Sequence, residues 1–212
     1  MLAPRSGPWI AAPLAGAAAW IALWLLLPLP SGPAPIAPMV ALATVSLVLL
    51  VFFRDPNRAV GLGVVSPADG RVTALAQREG RWEVSIFMNL HDVHVNRMPL
   101  AGKVEAITHH PGSHRFAFSK DSIHNERMVY EVSTPAGRML VTQIAGAFAR
   151  RCVSYVEPGS VVERGSRFGM IRLSSRVDLS LPALQGLEPA VAVGDRVLAG
   201  TSTLFVMPSA GG

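Results

Sequence analysis

The chain has a single cysteine, Cys152, among 212 residues, so no internal disulfide can form and a reducing compartment suits it. There is no charged residue between Arg5 and Arg54, and no lysine after Lys120. The net charge of +5 would suit an anionic partner. No cluster of Lys and Arg marks a nucleic-acid surface, so acidic lipid headgroups are the expected partner and nucleic acid is not. Cys152 itself, beside Arg150 and Arg151, reads as a packed thiol.

The missing charge has a structural counterpart. Residues 9–27 and 36–53 are almost wholly apolar, and Pro28-Leu29-Pro30-Ser31-Gly32-Pro33-Ala34-Pro35 between them must break any helix. As a helix the second run is about 27 Å long, just enough to span a bilayer. A cleaved signal peptide would have a stronger basic start, a small-residue cleavage site and no second apolar run. The expectation is a retained helical hairpin, residues 1–53, that is membrane-associated. Arg5 precedes it, Arg54 and Arg58 follow it, and its loop carries no Lys or Arg. The positive-inside rule then puts residues 54–212 on the cytoplasmic side of the cell membrane.

Beyond Arg54 helical periodicity is weak, with short candidates only around residues 121–125 and 146–150. Alternation dominates: Trp82, Val84 and Ile86; Val104 and Ala106; Met128, Tyr130 and Val132; Leu140, Thr142 and Ile144; then Val177, Leu179 and Leu181. Gly or Pro punctuates nearly every gap, which predicts a mainly β domain. Gly159-Ser160-Val161-Val162-Glu163-Arg164-Gly165 and Gly194-Asp195-Arg196-Val197-Leu198-Ala199-Gly200 both spell Gly-x-x-Val-x-x-Gly. Such paired corners belong to barrel-sandwich hybrids, in which two hairpin-like halves wrap each other. The fold class expected is therefore mainly β (α+β), of barrel-sandwich-hybrid type, behind an N-terminal apolar helical hairpin.

Several segments could carry chemistry. Ser66-Pro67-Ala68-Asp69-Gly70-Arg71-Val72 puts an acid on a turn, where Asp before Gly is also routine. Phe87-Met88-Asn89-Leu90-His91-Asp92-Val93-His94-Val95-Asn96-Arg97-Met98-Pro99 puts two imidazoles three residues apart after a strand. His109, His110 and His114 follow, then Asn125-Glu126-Arg127. Ser174-Ser175 opens the last long strand. Five of six histidines fall within 24 positions, yet there is no His-Glu-x-x-His and no cysteine pair, so no metal site is expected. Asp69, His94 and Ser175 could form a hydrolase triad, but Ser175 lacks the Gly-x-Ser-x-Gly elbow. A lipoyl-like carrier would need a lysine at a hairpin tip, and the two corners have none.

Taken together, residues 66–72, 87–99, 125–127 and 168–182, with the Phe52-Phe53-Arg54-Asp55-Pro56 entry, resemble the phosphatidylserine decarboxylase family in its short, membrane-anchored form. The resemblance runs from about residue 52 to 208. It implies a self-processing, pyruvoyl-dependent enzyme that converts phosphatidylserine to phosphatidylethanolamine and CO2 in phospholipid biosynthesis. By that resemblance Ser175 attacks the carbonyl of Ser174, and the chain divides into 1–174 and 175–212, which stay together as a heterodimer. Position 175 becomes the covalent pyruvoyl cofactor, whose ketone forms a Schiff base with the substrate amine. The resemblance gives Asp69 a base or orienting role in cutting and His94 the protonation step. It leaves the higher oligomeric state open.

Two positions depart from the family pattern. Most members have Gly where Ser174 stands, although another pyruvoyl enzyme, histidine decarboxylase, is cut at a Ser-Ser bond. Long-form bacterial members have a second histidine where Arg97 stands, and arginine cannot serve as a base at neutral pH. Binding substrate carboxylate or phosphate is the role expected of Arg97. A catalytically inactive or unprocessed relative is the competing reading, and Ser174 is its main support.

Overall fold

The computed structural model describes residues 1–26, 36–112, 125–146, 151–172 and 175–207. It divides into two compact units, Met1–Pro56 and Asn57–Gly212. Ser174, His114 and Lys120 lie outside the described residues, as do most of the two short helix candidates.

In the first unit, α1 (Gly7–Leu26) and α2 (Ile36–Phe52) are apolar on every side. They pack together, with Leu42 Cδ1 within 3.8 Å of where a side chain at Gly16 would begin. The chain ends of the hairpin are tied: Ala3 N donates to Phe53 O and Asp55 N to Met1 O, each at 2.8 Å. Helix α1, at 20 residues, is long and apolar enough to cross a membrane, and α2 at 17 residues is shorter.

The second unit is mainly β. In chain order its described strands are β1 (Val64–Val65), β2 (Gly70–Arg78), β3 (Arg81–Met88), β4 (Val95–Arg97), β5 (Gly102–His110), β6 (Arg127–Thr134), β7 (Gly137–Ala145), β8 (Cys152–Ser154), β9 (Val161–Val162), β10 (Arg167–Ile171), β11 (Ser175–Pro182), β12 (Glu188–Pro189), β13 (Arg196–Val197) and β14 (Thr203–Val206). One antiparallel sheet runs β13-β2-β3-β11-β7-β6-β5-β9, and two three-stranded sheets, β4-β10-β8 and β1-β14-β12, complete the unit.

The two Gly-x-x-Val-x-x-Gly segments supply the two edge strands, β9 and β13, of the large sheet. Their last glycines, Gly165 and Gly200, both have positive φ (78° and 73°), a conformation glycine adopts without a steric penalty. The sheet curls until these corners meet: a Cβ on Gly200 would lie 3.5 Å from Gly165 Cα. One face is the core, formed by Val84, Ile86 and Met88 on β3, Val177, Leu179 and Leu181 on β11, and Met139 and Val141 on β7. On β7 the alternation expected from Leu140, Thr142 and Ile144 has the right period and the opposite phase at Leu140 and Thr142, while Ile144 is buried as well. Met139, Val141, Gln143 and Ala145 point inward, so a glutamine stands on the apolar face.

Candidate active site

Ser175 is the first residue of β11, a central strand, and is fully buried on the core face. Its Cα partners are Met88 on β3 and Ala145 on β7. The hydroxyl points at the Met88 thioether, with Oγ 3.5 Å from Sδ. Sequence alternation places Val177, Leu179 and Leu181 inward, and Ser175 continues that series to the sheet's end.

The Asn125-Glu126 segment braces the far side of the same row. Asn125 Nδ2 donates to Ala145 O at 2.8 Å, and Ala145 N donates to Glu126 O at 2.9 Å. The Glu126 carboxylate takes the Cys152 N–H at 3.3 Å and lies 3.1 Å from His109 Nε2. Cys152 is buried, and desolvation pushes its thiol up to about 12, so it stays protonated and packed.

Asp69 lies on the near side. Arg71 pairs with Phe87 and Phe87 with Arg176, so antiparallel register brings Gly70 level with Met88 and Ser175. Gly70 is then two strand spacings, about 10 Å, from Ser175. The Asp69 carboxylate is 4% exposed and held at both oxygens. Arg58 engages it through both terminal nitrogens, with Nη2 to Oδ2 at 2.8 Å, and Ala199 N donates to Oδ1 at 2.8 Å. Three of roughly four lone-pair positions are thus filled, leaving one on Oδ2. Arg58 has no signal in the sequence, where it stands eleven residues from its partner in a segment without periodicity.

His94 is fully buried in the β3–β4 connection. Its Nδ1 lies 2.8 Å from Asp92 O, and a carbonyl only accepts. Nδ1 therefore carries the hydrogen, and in the neutral ring Nε2 carries the lone pair. The connection is braced by the Asp92 carboxylate, which accepts from Asn89 N at 2.8 Å and from Arg196 Nη2 at 3.1 Å. Ile171 N donates to His94 O at 3.3 Å, so His94 also secures the strand that runs toward position 174.

Arg97 sits elsewhere in this frame. It is 6% exposed, with Nη1 donating to Gly165 O at 3.1 Å and its backbone N to Pro67 O at 2.9 Å. Its Cδ lies 2.7 Å from where a Cβ on Gly200 would be. The guanidinium side chain is packed between the two glycine corners, which join the sheet's edges. Asp69 thus directly precedes the residue level with Ser175, His94 is tied to the end of β10, and Arg97 lies among the corners. No local pattern in the sequence marks Arg58 as the partner of Asp69, or Met88, Asn96 and Gln143 as the buried neighbours of Ser175. The inward glutamine on β7 was hidden because a polar residue in an apolar series looks like the outward phase.

A family model described as phosphatidylserine decarboxylase matches residues 45–204. A Streptomyces coelicolor protein named phosphatidylserine decarboxylase proenzyme is 45% identical over 205 residues, covering 96% of this chain and 91% of its own. A Halobacterium salinarum protein with the provisional name archaetidylserine decarboxylase proenzyme is 49% identical over 156 residues, covering 72% of this chain and 78% of its own. A Methanosarcina acetivorans protein with the same provisional name is 40% identical over 209 residues, with 96% coverage of both chains.

Proposed function

The chain belongs to the phosphatidylserine decarboxylase family and is a decarboxylase made as a proenzyme; from that premise we propose that it cuts itself between Ser174 and Ser175 and releases CO2 from phosphatidylserine. Ser175 Oγ attacks the Ser174 carbonyl carbon and gives up its proton, which the departing nitrogen receives in the end. The peptide C–N bond breaks, the nitrogen takes a proton, and an ester joins the two residues. Loss of the α-proton at position 175 then breaks the Cβ–Oγ bond and frees residues 1–174 as a carboxylate. Water replaces the nitrogen at the new chain end, and ammonia leaves. Asp69 serves this step as base or orienting group, held in place by Arg58.

A small uncharged ketone suits position 175, where the side chain is fully buried between Met88 and Ala145. The pyruvoyl group supplies an electron-withdrawing carbonyl that draws off charge as CO2 departs. His94 handles the proton that takes the place of CO2: Nδ1 is committed to Asp92 O, so Nε2 carries it. Arg97, buried beneath Gly165 and Gly200, ties the corners.

The relatives' names share a serine phospholipid headgroup and differ in the lipid backbone, so the serine headgroup is the recognised element. A lipid substrate explains an apolar hairpin ahead of the catalytic unit, with that unit on the cytoplasmic side. The observation that carries this reading is the burial of Ser175 against Met88 at the start of a central strand. Intact-mass analysis tests it. The expected result is two chains, 1–174 and 175–212, the smaller lighter than a serine-started peptide by about the mass of ammonia. Ser175→Ala stays whole. His94→Ala is cut but loses about a hundredfold or more in CO2 release. A single uncut, active wild-type chain refutes the reading.

A further inference from the structure

Among the inward residues of the large sheet's central strands, Gln143 is the polar neighbour of Ser175. It pairs with Val177 on β11 and with Met128 on β6, one row below Ser175. An amide on an apolar face is costly unless its hydrogen bonds are made. Here they are made in a definite order. Tyr130 Oη lies 3.0 Å from Gln143 Oε1 and 3.0 Å from Met128 Sδ; its one proton goes to the amide oxygen, the stronger acceptor. Burial pushes the Tyr130 phenol above its ordinary range, so it remains a donor.

With Oε1 facing Tyr130, Gln143 presents Nε2 to Asn96 Oδ1 at 2.7 Å. Asn96 is thereby turned so that Nδ2 faces Met88 Sδ at 3.8 Å. The same sulfur lies 3.5 Å from Ser175 Oγ. Tyr130, Gln143, Asn96, Met88 and Ser175 are all fully buried. Gly169, the Cα partner of Asn96, keeps room for the crossing: a Cβ there would lie 2.8 Å from Gln143 Nε2 and 3.1 Å from Tyr130 Oη.

We propose that Asn96 and Gln143 are positioning residues for self-cleavage. Gln143, oriented by Tyr130, fixes the Asn96 amide, which holds the Met88 thioether against the Ser175 hydroxyl and so sets the direction from which Oγ attacks. The proposal rests on the self-cleavage reading and adds the device that aims its nucleophile. An unaimed serine on a strand would sample all three staggered rotamers, and holding one of them removes that freedom before attack.

The test is a time course of cutting in newly synthesised full-length chain, with and without hydroxylamine, which cleaves esters. Tyr130→Phe removes one O–H, and Gln143→Met replaces the amide by an apolar chain of similar length. Each is expected to slow cutting about tenfold, the rate equivalent of one hydrogen bond. Melting temperature, measured on each variant combined with Ser175→Ala, is expected to fall by several degrees relative to Ser175→Ala alone while the chain stays folded, because a buried polar group loses its partner. Because attack precedes the ester, hydroxylamine is expected to leave the tenfold deficit in place. A Gln143→Met/Asn96→Leu double variant, apolar at both positions, keeps the proposal testable should an orphaned amide unfold either single variant. Wild-type cutting rates in folded variants, or full rescue by hydroxylamine, overturn the proposal. A wild-type chain that stays whole overturns the underlying reading instead, and the proposal with it.

Discussion

Two stretches of the catalytic unit are built on one local grammar and differ in what they carry. Gly70-Arg71-Val72 opens β2, and Gly102-Lys103-Val104 opens β5. Each glycine lies under a carbonyl of the next strand, so an added Cβ would sit 2.1 Å from Phe87 O or 2.3 Å from Ser133 O. Each strand shifts register just after its valine, between Val72 and Ala74 and between Val104 and Ala106. Each takes a Gly-x-x-Val-x-x-Gly segment as its edge partner: Val197 pairs with Gly70, and Val162 with Gly102. The residue before the glycine breaks the likeness. In one half it is Asp69, clamped by Arg58 and Ala199; in the other it is Ala101, exposed and chemically inert. Repetition makes the scaffold, and the two copies differ in whether a buried, clamped carboxylate precedes the glycine.

The sharpest way to break that comparison is to exchange the distinguishing residues. Asp69→Ala is expected to slow self-cutting about a hundredfold or more, the usual range for removing an acid–base group. Ala101→Asp is expected to leave cutting within about twofold of wild type, because an exposed carboxylate there is solvated and the row beside Gly102 holds Thr134 and Gly137 rather than a buried serine. Gel densitometry of the two fragments over time reads both. Equal rates for Asp69→Ala and wild type would reduce Asp69 to a turn residue with a salt bridge.

The repeated scaffold was legible in the amino-acid sequence alone. Two matching glycine corners predicted wrapped halves, and alternation predicted the inward Val177, Leu179 and Leu181. Legibility failed where a residue broke its own local rule. Gln143 is polar in an apolar series, so the pattern on β7 was read in the opposite phase, and the amide beneath Ser175 went unnoticed. Arg58 failed for another reason: its pairing with Asp69 depends on a fold-back that no local period encodes. Arg97, a lone arginine beside a histidine motif, suggests an anion site, and its packing could not be read from that motif. Its burial against Gly165 and Gly200 follows from long-range closure of the sheet. Residue types and spacing report strands and turns well, whereas contacts across sheets exist only once the chain has closed.

The glycines sharpen the comparison at the level of stability. In the Ser175→Ala background, where the chain stays whole, Gly102→Ala is expected to cost about 1–3 kcal/mol from overpacking against Ser133 O. Gly70→Ala should cost about 1 kcal/mol more, because Gly70 also has φ of 141°, a region that L-residues rarely enter. Urea midpoints of the two variants, compared at equal slope, measure the difference. Indistinguishable midpoints would mean that the site half stores no backbone strain beyond its twin.

The smallest effect separates the ion pairs of the two halves. Arg58–Asp69 joins side chains that are 15% and 5% exposed, whereas Arg138–Glu131 on the β6–β7 hairpin joins side chains 65% and 30% exposed. In water the attraction of the exposed pair is screened, and holding two long side chains in register costs rotamer freedom. Arg138→Ala is therefore expected to change stability by about 0.5 kcal/mol or less and to leave the cutting rate unaltered. Urea unfolding in the Ser175→Ala background and fragment densitometry in the active chain are the two readouts. A loss of about 2 kcal/mol or more would place the Arg138–Glu131 pair among charges whose rupture strands a buried partner. Charge would then be structural in both halves, and the chemical asymmetry would rest on Asp69's neighbours alone.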